Sequence, residues 1–521
     1  MKRFFKGIAA LLMLVSLAPS ASAATFKDAG TFSKEIDYLT NAGIIMGFPD
    51  GTFRPDLPIK RVDAVRMIMR ELDEPLGQSP NPNFKDMPVG SKGYDEVAKA
   101  VELGIISGKP GNIFDPNGNL TRAEMATVLV RTYNLSGIYP KGFTDVSLQY
   151  WGYPYISSLA ANNITIGYKD GTFKPTLTIS RAHFAAFMTR IIEPSFQPDN
   201  PEVADTYLEA LYDVNAIDYD MDPAKPIIYV LDGATNEVAA INYETYEVVS
   251  SLALPLPAER IAYANNKIYV TQQKRAHSHY WFDKDQEGAF AVVDAVTLKI
   301  EKSIQINLDP YDIEADDKGV VYISSGSGQH TRVESFNSQT GALLSSQGIY
   351  EQGLIELNPS QNKLYTISTG LSPRDFGAYS ITEGVLGPEA DSPYHGEYTL
   401  GKDLTLSPDG KYIFNSTGHI FRASAGATSD MTYFAKLDRP YSAIAFDTEY
   451  GELYTSNNQK YIQAYDYQTM DAIGQMTTYG NVKKMFYDQN SDTLLAFTTV
   501  YLGKSTVPFT GLEVVYFDTE E

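Results

Sequence analysis

The sequence predicts a multidomain protein, a mainly helical N-terminal region built from three repeats followed by an all-β region built from seven. Three observations carry this expectation. A chain of 521 residues exceeds what one hydrophobic core usually organises. Its hydrophobic period changes from helical to alternating after a proline-rich stretch at 193–201. Each part also repeats itself, at different lengths.

Composition narrows the function classes. Hydrophobic residues at 43% and charged residues at 20% describe a chain that buries a core. The 42 Lys and Arg against 64 Asp and Glu give a net charge of −22, which opposes phosphate binding, so no nucleic-acid partner is expected. Cysteine is absent, which removes disulfides, thiolate metal sites and cysteine nucleophiles. The 36 tyrosines against 2 tryptophans suit half-buried strand positions.

Residues 1–23 read as a secretory signal: Lys2, Arg3 and Lys6, an apolar run from Ile8 to Leu17, then Ala21-Ser22-Ala23 before the expected cleavage. No later run reaches the roughly 18 apolar residues of a membrane span, so export without membrane insertion is expected.

Three segments then open on Phe26-Lys27-Asp28, Phe84-Lys85-Asp86 and Phe143-Thr144-Asp145, about sixty residues apart. Each continues through a helix-period stretch to a glycine-containing turn: Asp50-Gly51-Thr52-Phe53-Arg54-Pro55, Gly111-Asn112-Ile113-Phe114-Asp115-Pro116 and Asp170-Gly171-Thr172-Phe173-Lys174-Pro175. Each turn leads to an arginine, Arg61, Arg122 or Arg181. In the second repeat Thr121-Arg122-Ala123-Glu124 is a capping box, in which Thr121 caps and Glu124 reaches back. Arg122 then stands at a helix start, where guanidinium, free backbone N–H groups and the positive dipole end favour an anion. Ser180 keeps the cap in the third repeat with His183 replacing the glutamate; Lys60 and Asp63 replace both partners in the first.

These residues resemble the S-layer homology family, whose tandem repeats carry a Phe-x-Asp opening, a Gly-x-x-Asp-Gly-Thr-Phe-x-Pro turn and a Thr-Arg-Ala-Glu helix start. The resemblance covers roughly residues 24 to 192, as repeats at 24–81, 82–140 and 141–192, with a linker at 193–204. It implies a pseudo-threefold helical prism at the cell wall or S-layer that binds secondary cell-wall polysaccharide non-covalently, with pyruvylated sugar acids in grooves between repeats. By motif position the implied contacts are Arg61, Arg122 and Arg181, with Asp50 and Asp170 from the turns and Glu124 beside them. Repeat two departs in having Gly111 where the turn aspartate would stand.

In residues 205–521 seven second strands align, the first six each with a tyrosine: 228–230, 268–270, 321–323, 364–366, 412–414, 453–455 and 494–496. Units of about 43 residues with four short strands are the signature of propeller blades. The region resembles bacterial surface-protein and lactonase-like seven-bladed propellers. The seventh unit ends with three strands, so residues 205–212 are expected to pair beside 511–518 and complete that blade.

Candidate chemistry here is thinner. Five of the six histidines lie in this region, His277, His279, His330, His395 and His419. His277 and His279 could share a metal or stand as solvated loop residues. Asp283-Lys284-Asp285-Gln286-Glu287-Gly288 resembles the start of a calcium loop without its terminal glutamate, so calcium is a candidate ion and a polar hairpin loop the preferred reading. Asp218-x-Asp220-x-Asp222 reads as a strand and turn edge. Residues before the first strands, Arg260, Asp312, Asp403, Arg439, Tyr441 and Lys483, should ring the channel mouth. No nucleophile motif is present. Two functions therefore stand: a wall-anchored module displaying a surface for an unidentified ligand or protein, which leads, and a wall-anchored lactonase- or glycosidase-type hydrolase acting at the channel mouth.

Overall fold

The computed structural model describes residues 26–517 apart from 425 and 427; the expected signal segment at 1–23 lies outside them. The chain forms two compact units, one reaching to Glu209 and including Tyr501–Thr506, the other holding Ala210–Val500 and the chain from Val507 onward.

The first unit is helical. Its helices are α1 (Ser33–Asn41), α2 (Arg61–Leu72), α3 (Tyr94–Glu102), α4 (Arg122–Tyr133), α5 (Tyr153–Ala161) and α6 (Arg181–Ile192), a short and a long helix in each repeat. The Phe-x-Asp opening folds each turn. Asp28 accepts the backbone N–H groups of Phe53 and Arg54, Asp86 those of Phe114 and Asp115, and Asp145 those of Phe173 and Lys174, at 2.7 to 2.8 Å. The opening phenylalanine packs on the turn phenylalanine, with ring centroids 5.5 to 5.6 Å apart. Glycine before the turn makes this approach possible: a Cβ at Gly47, Gly108 or Gly167 would stand 2.1, 2.3 or 2.5 Å from that ring.

The three repeats close on each other through a ring of backbone bonds. Ile59 N–H donates to Ile179, Ile179 to Leu120 and Leu120 back to Ile59, at 3.0, 2.9 and 3.2 Å. Residues of all three repeats share one apolar core, in which Phe53, Phe114 and Phe173 are wholly buried. A pseudo-threefold arrangement follows directly from these cyclic bonds.

The second unit is an all-β propeller of seven four-stranded antiparallel sheets. Six are successive meanders; the seventh orders its strands Tyr207–Tyr212, Pro508–Tyr516, Thr493–Tyr501 and Asn481–Asp488, so an N-terminal strand supplies the outer edge. This is the expected closure, and it removes the unpaired edge that three strands would leave. Seven buried apolar clusters fill the spaces between neighbouring blades, the last joining Ile228 and Val230 to Leu495, Phe497 and Leu512. Several tyrosines of the second strands are buried in these cores with their hydroxyls bonded: Tyr229 to Ala295 O at 3.1 Å, Tyr365 to Asp430 Oδ1 at 2.8 Å and Tyr454 to Glu452 Oε2 at 2.6 Å. Because strand direction alternates, the loops between second and third strands share one face with the connections into the next blade. No described helix is long and apolar enough to cross a membrane.

Candidate functional site

Each of the three repeated arginines of the first unit leaves its own repeat. Arg61 donates through Nε to Phe114 O at 3.0 Å and through Nη2 to Ser107 O at 3.0 Å. Arg122 donates through Nε to Phe173 O at 2.7 Å, and Arg181 through Nε to Phe53 O at 3.0 Å and Nη2 to Met46 O at 3.4 Å. Repeat one thus inserts into the turn of repeat two, two into three, and three into one. The guanidinium groups also lie over the turn aromatics, Arg61 5.1 Å from the Phe114 centroid, Arg122 4.5 Å from Phe173 and 4.9 Å from Tyr168, and Arg181 4.6 Å from Phe53. Arg61 and Arg122 are 4% exposed. The threefold repetition of the arginine therefore has an architectural role, which the sequence pattern did not reveal.

The helix starts differ from expectation in one respect. The N–H groups thought free at α4 are occupied: Arg122 N donates to Leu177 O, Ala123 N to Pro175 O and Glu124 N to Thr121 Oγ1. The capping box itself is formed, with Glu124 Oε2 accepting Thr121 N at 2.8 Å. At α6, Ser180 Oγ caps His183 N, and His183 Nδ1 lies 2.8 Å from that hydroxyl, an imidazole standing in for the glutamate. At α2, Lys60 makes no side-chain cap and reaches Asn117 instead.

The three junctions carry unequal charge. Arg61 faces Glu124, whose Oε1 is 3.8 Å from Nη1, and the charges of Asp115 and Asp86. Arg181 feels Asp63 and Asp28 against Arg54. Arg122 feels the charge of Asp145 and, like Arg181, has no carboxylate within 4 Å among the described residues, where only its Nε is bonded to protein; Lys174 Nζ lies 4.0 Å from the centroid of the neighbouring Tyr168 ring. Burial lowers the pKa of all three guanidinium groups, which stay cationic.

Asp50 and Asp170 stand exposed at the tips of the turns entered by Arg181 and Arg122. Asp50 accepts Thr52 N and Oγ1 and pairs with Arg54 at 2.8 Å; Asp170 accepts Thr172 N and Oγ1, with Lys174 Nζ 3.8 Å away. These hydrogen bonds hold both carboxyls below the usual range. In the second repeat, where Gly111 replaces the aspartate, the charge pair is rebuilt as Lys109 with Asp115 at 2.7 Å.

Residues 25–65, 83–126 and 142–185 match the sequence model of the S-layer homology domain. The chain carries three S-layer homology domains. It is similar to the surface-layer 125 kDa protein of Lysinibacillus sphaericus, 32% identical over 37% of this chain and 17% of that protein. It is similar also to S-layer protein EA1 of Bacillus anthracis, at 26% identity over 55% of this chain and 35% of that one. The cellulosome-anchoring protein of Acetivibrio thermocellus is 30% identical over 29% of this chain and 36% of its own length. The chain thus spans about a third or less of the length of these relatives. A solved structure of hydrazine synthase from Kuenenia stuttgartiensis overlaps 60% of this chain and 97% of that one at 14% identity and a TM-score of 0.44, a likeness too low to carry an argument.

Beyond the S-layer homology domains, the propeller residues expected at the channel mouth separate into two groups. Arg260 and Asp312 come together, with Nε 3.7 Å from Oδ1. Asp403 and Tyr441 share a neighbourhood: Tyr441 is 4% exposed, packs in the core between the fifth and sixth blades, and feels the charges of Asp403 and Glu356. Arg439 is exposed and lies 3.6 Å from Asp438. Lys483 is exposed too, because a bulge between Val482 and Lys484 shifts the register. Lys484 takes the inward role and stabilises the charged forms of Asp218, Asp220 and Glu356.

Those carboxyls form a feature the sequence reading assigned to a plain strand edge. Asp218 and Asp220 accept the N–H groups of Ile261 and Tyr263 in the next blade, Asp312 that of Ile355, and Glu356 that of Leu406, at 2.9, 2.6, 2.8 and 3.3 Å. Inner strands are thereby tied blade to blade. Desolvation pushes Asp220 and Asp312 up to about 6 and Glu356 to about 7, and burial with the facing charge of Glu356 drives Glu314 well above its ordinary range.

The histidines also sort differently from the sequence expectation. His277 lies between Asp309 Oδ2, 2.7 Å from Nδ1, and Glu259 Oε2, 2.9 Å from Nε2; these carboxylates outweigh desolvation and raise it to about 9. It is a half-buried, clamped imidazolium and not a solvated loop residue. His279 meets a different carboxylate, Glu351, at 2.5 Å, so the two histidines do not converge on one metal. The acidic run beginning at Asp283 forms a short 3-10 turn before the strand Gly288–Asp294, and Asp294 caps Thr297 and pairs with Lys267, consistent with a hairpin loop.

Proposed function

We propose that the chain is a secreted cell-surface protein held non-covalently to secondary cell-wall polysaccharide by its S-layer homology domains, and that it displays the propeller outside the cell as a binding or structural module. The anchor comprises the repeats at 24–81, 82–140 and 141–192. A pyruvylated sugar acid is the ligand whose chemistry suits the junctions: a carboxylate for a guanidinium, and a sugar face for the aromatic rings beside it. The observation that carries the reading is Arg122, a desolvated guanidinium with no carboxylate at ion-pair distance and its terminal amino groups not bonded to protein among the described residues. Arg61 is already countered by Glu124, so its junction is the weaker.

For the propeller, the module reading is favoured over hydrolysis because the carboxyls with raised pKa accept backbone N–H groups of the adjoining blade, a role in ring closure. Co-sedimentation of the chain with purified walls tests the anchoring. Binding is expected to weaken with salt and to vanish when the acidic polymer is extracted. Equal binding to extracted walls would refute it.

A further inference from the structure

Blade four gathers three potential metal ligands from separate stretches of chain. Asp375 immediately precedes its third strand (Phe376–Thr382), Asp391 ends its fourth (Val385–Asp391), and His395 lies in the connection to blade five. One ligand atom from each lies within 4.8 Å of the others, and His395 Nδ1 is 2.9 Å from Asp375 Oδ2. The imidazole sets this group apart from a surface acidic patch, since it brings a nitrogen donor among carboxylate oxygens.

The surrounding charge is uncompensated. Glu397 accepts His395 N at 2.6 Å, and Glu389 precedes Asp391 on the same strand. The adjacent cation, Arg374, turns away: its terminal amino groups donate to Leu400 O at 3.3 Å and Thr369 O at 3.4 Å. No lysine or arginine pairs with these four carboxylates among the described residues, and the His395 imidazole is the one basic side chain that meets them, at Asp375. His277 shows the contrast, since carboxylates on opposite ring nitrogens occupy both of its donor positions.

We infer that Asp375, Asp391 and His395 bind a divalent transition-metal cation of the zinc class, with water completing the coordination. Two carboxylates and one neutral imidazole form a borderline donor set that suits zinc, whereas calcium takes oxygen ligands only. Binding displaces the His395 proton to solvent, so affinity falls as pH drops.

Titration of the tag-free full-length chain with Zn2+ by calorimetry tests this. One site is expected near neutral pH, weakened about tenfold or more in His395→Ala and in Asp391→Asn. The site should persist in His279→Ala, weaken in acid, and go undisplaced by excess Ca2+. All three substitutions are at half-exposed or exposed positions, and circular dichroism checks that the fold is retained. No Zn2+ uptake by the unmodified chain, unchanged uptake in His395→Ala, loss of uptake in His279→Ala, or displacement by Ca2+ would each overturn the assignment.

Discussion

The two units solve the same problem, closing a set of repeats into a ring, by different physical means. In the N-terminal unit closure is polar and residue-specific: three arginines each enter the next repeat's turn, and three backbone bonds circulate among Ile59, Leu120 and Ile179. In the propeller closure is mainly apolar and strand-based, with Tyr207–Tyr212 completing the last sheet and a hydrophobic cluster joining it to the first. A polar closure leaves cationic groups at its seams, where a ligand can compete for them. An apolar closure leaves its seams inert and confines charge to the inner strands and the loops.

The comparison is broken most severely by removing an apolar seam. Leu512 is wholly buried in the cluster between the seventh and first blades, so Leu512→Ala should cost about 3 kcal/mol, read from denaturant unfolding of the propeller. A cost under about 1 kcal/mol would show that the closing strand is not held by that cluster. In the N-terminal unit the sharpest steric constraint is Gly108, where a Cβ would stand 2.3 Å from Phe84 Cε1 and 3.2 Å from Ile113 O. Gly108→Ala is expected to destabilise by roughly 1 to 3 kcal/mol, and a neutral result would mean that the opening phenylalanine moves aside freely. Thr121→Ala removes one capping bond and should cost about 1 kcal/mol, more than Lys60→Ala at α2, which has no cap to lose.

The smallest expected effect is a change in slope with pH. Asp220 and Asp312 at about 6 and Glu356 at about 7 bind protons more tightly in the folded chain than in the unfolded one. Their contribution is therefore fully present only below the ordinary carboxyl values of 3.8 and 4.5, and it is lost progressively as pH rises from there through about 6 to 7. Glu356→Gln should flatten the fall of the propeller's melting temperature across that window. The turn carboxyls Asp28, Asp50 and Asp170 have lowered values and act in the opposite sense, losing their contribution only as pH falls into the acid range. An unchanged slope in Glu356→Gln would remove Glu356 from the account.

Much of both architectures was legible because repetition averages over local ambiguity. All seven second strands stand where the alternation placed them, and the closing strand followed from counting the strands of the seventh unit. The capping box at Thr121 was readable because its two partners lie three residues apart. Contacts between distant residues were not readable in this way. Arg122 is visible as a repeated residue, but its acceptor, Phe173 O, lies 51 residues on in another repeat, and nothing local marks it. One bulge exchanged Lys483 for Lys484 at the inner strand, since a single extra residue reverses every facing position after it. His277 and His279 are neighbours in sequence with separate carboxylate partners, whereas Asp375, Asp391 and His395 are brought together only by strand pairing.

The central claim is that the three arginine junctions share an architecture and differ in readiness for an anion. The direct measurement is the affinity of the chain for purified secondary cell-wall polysaccharide in Arg122→Lys and Arg61→Lys, each variant checked for an intact fold. Lysine keeps the charge and loses the forked donor geometry. A loss of about tenfold is expected for Arg122→Lys, consistent with a charge-assisted contact, and a clearly smaller loss for Arg61→Lys, whose guanidinium already faces Glu124. Equal losses, or a larger one at Arg61, would contradict it.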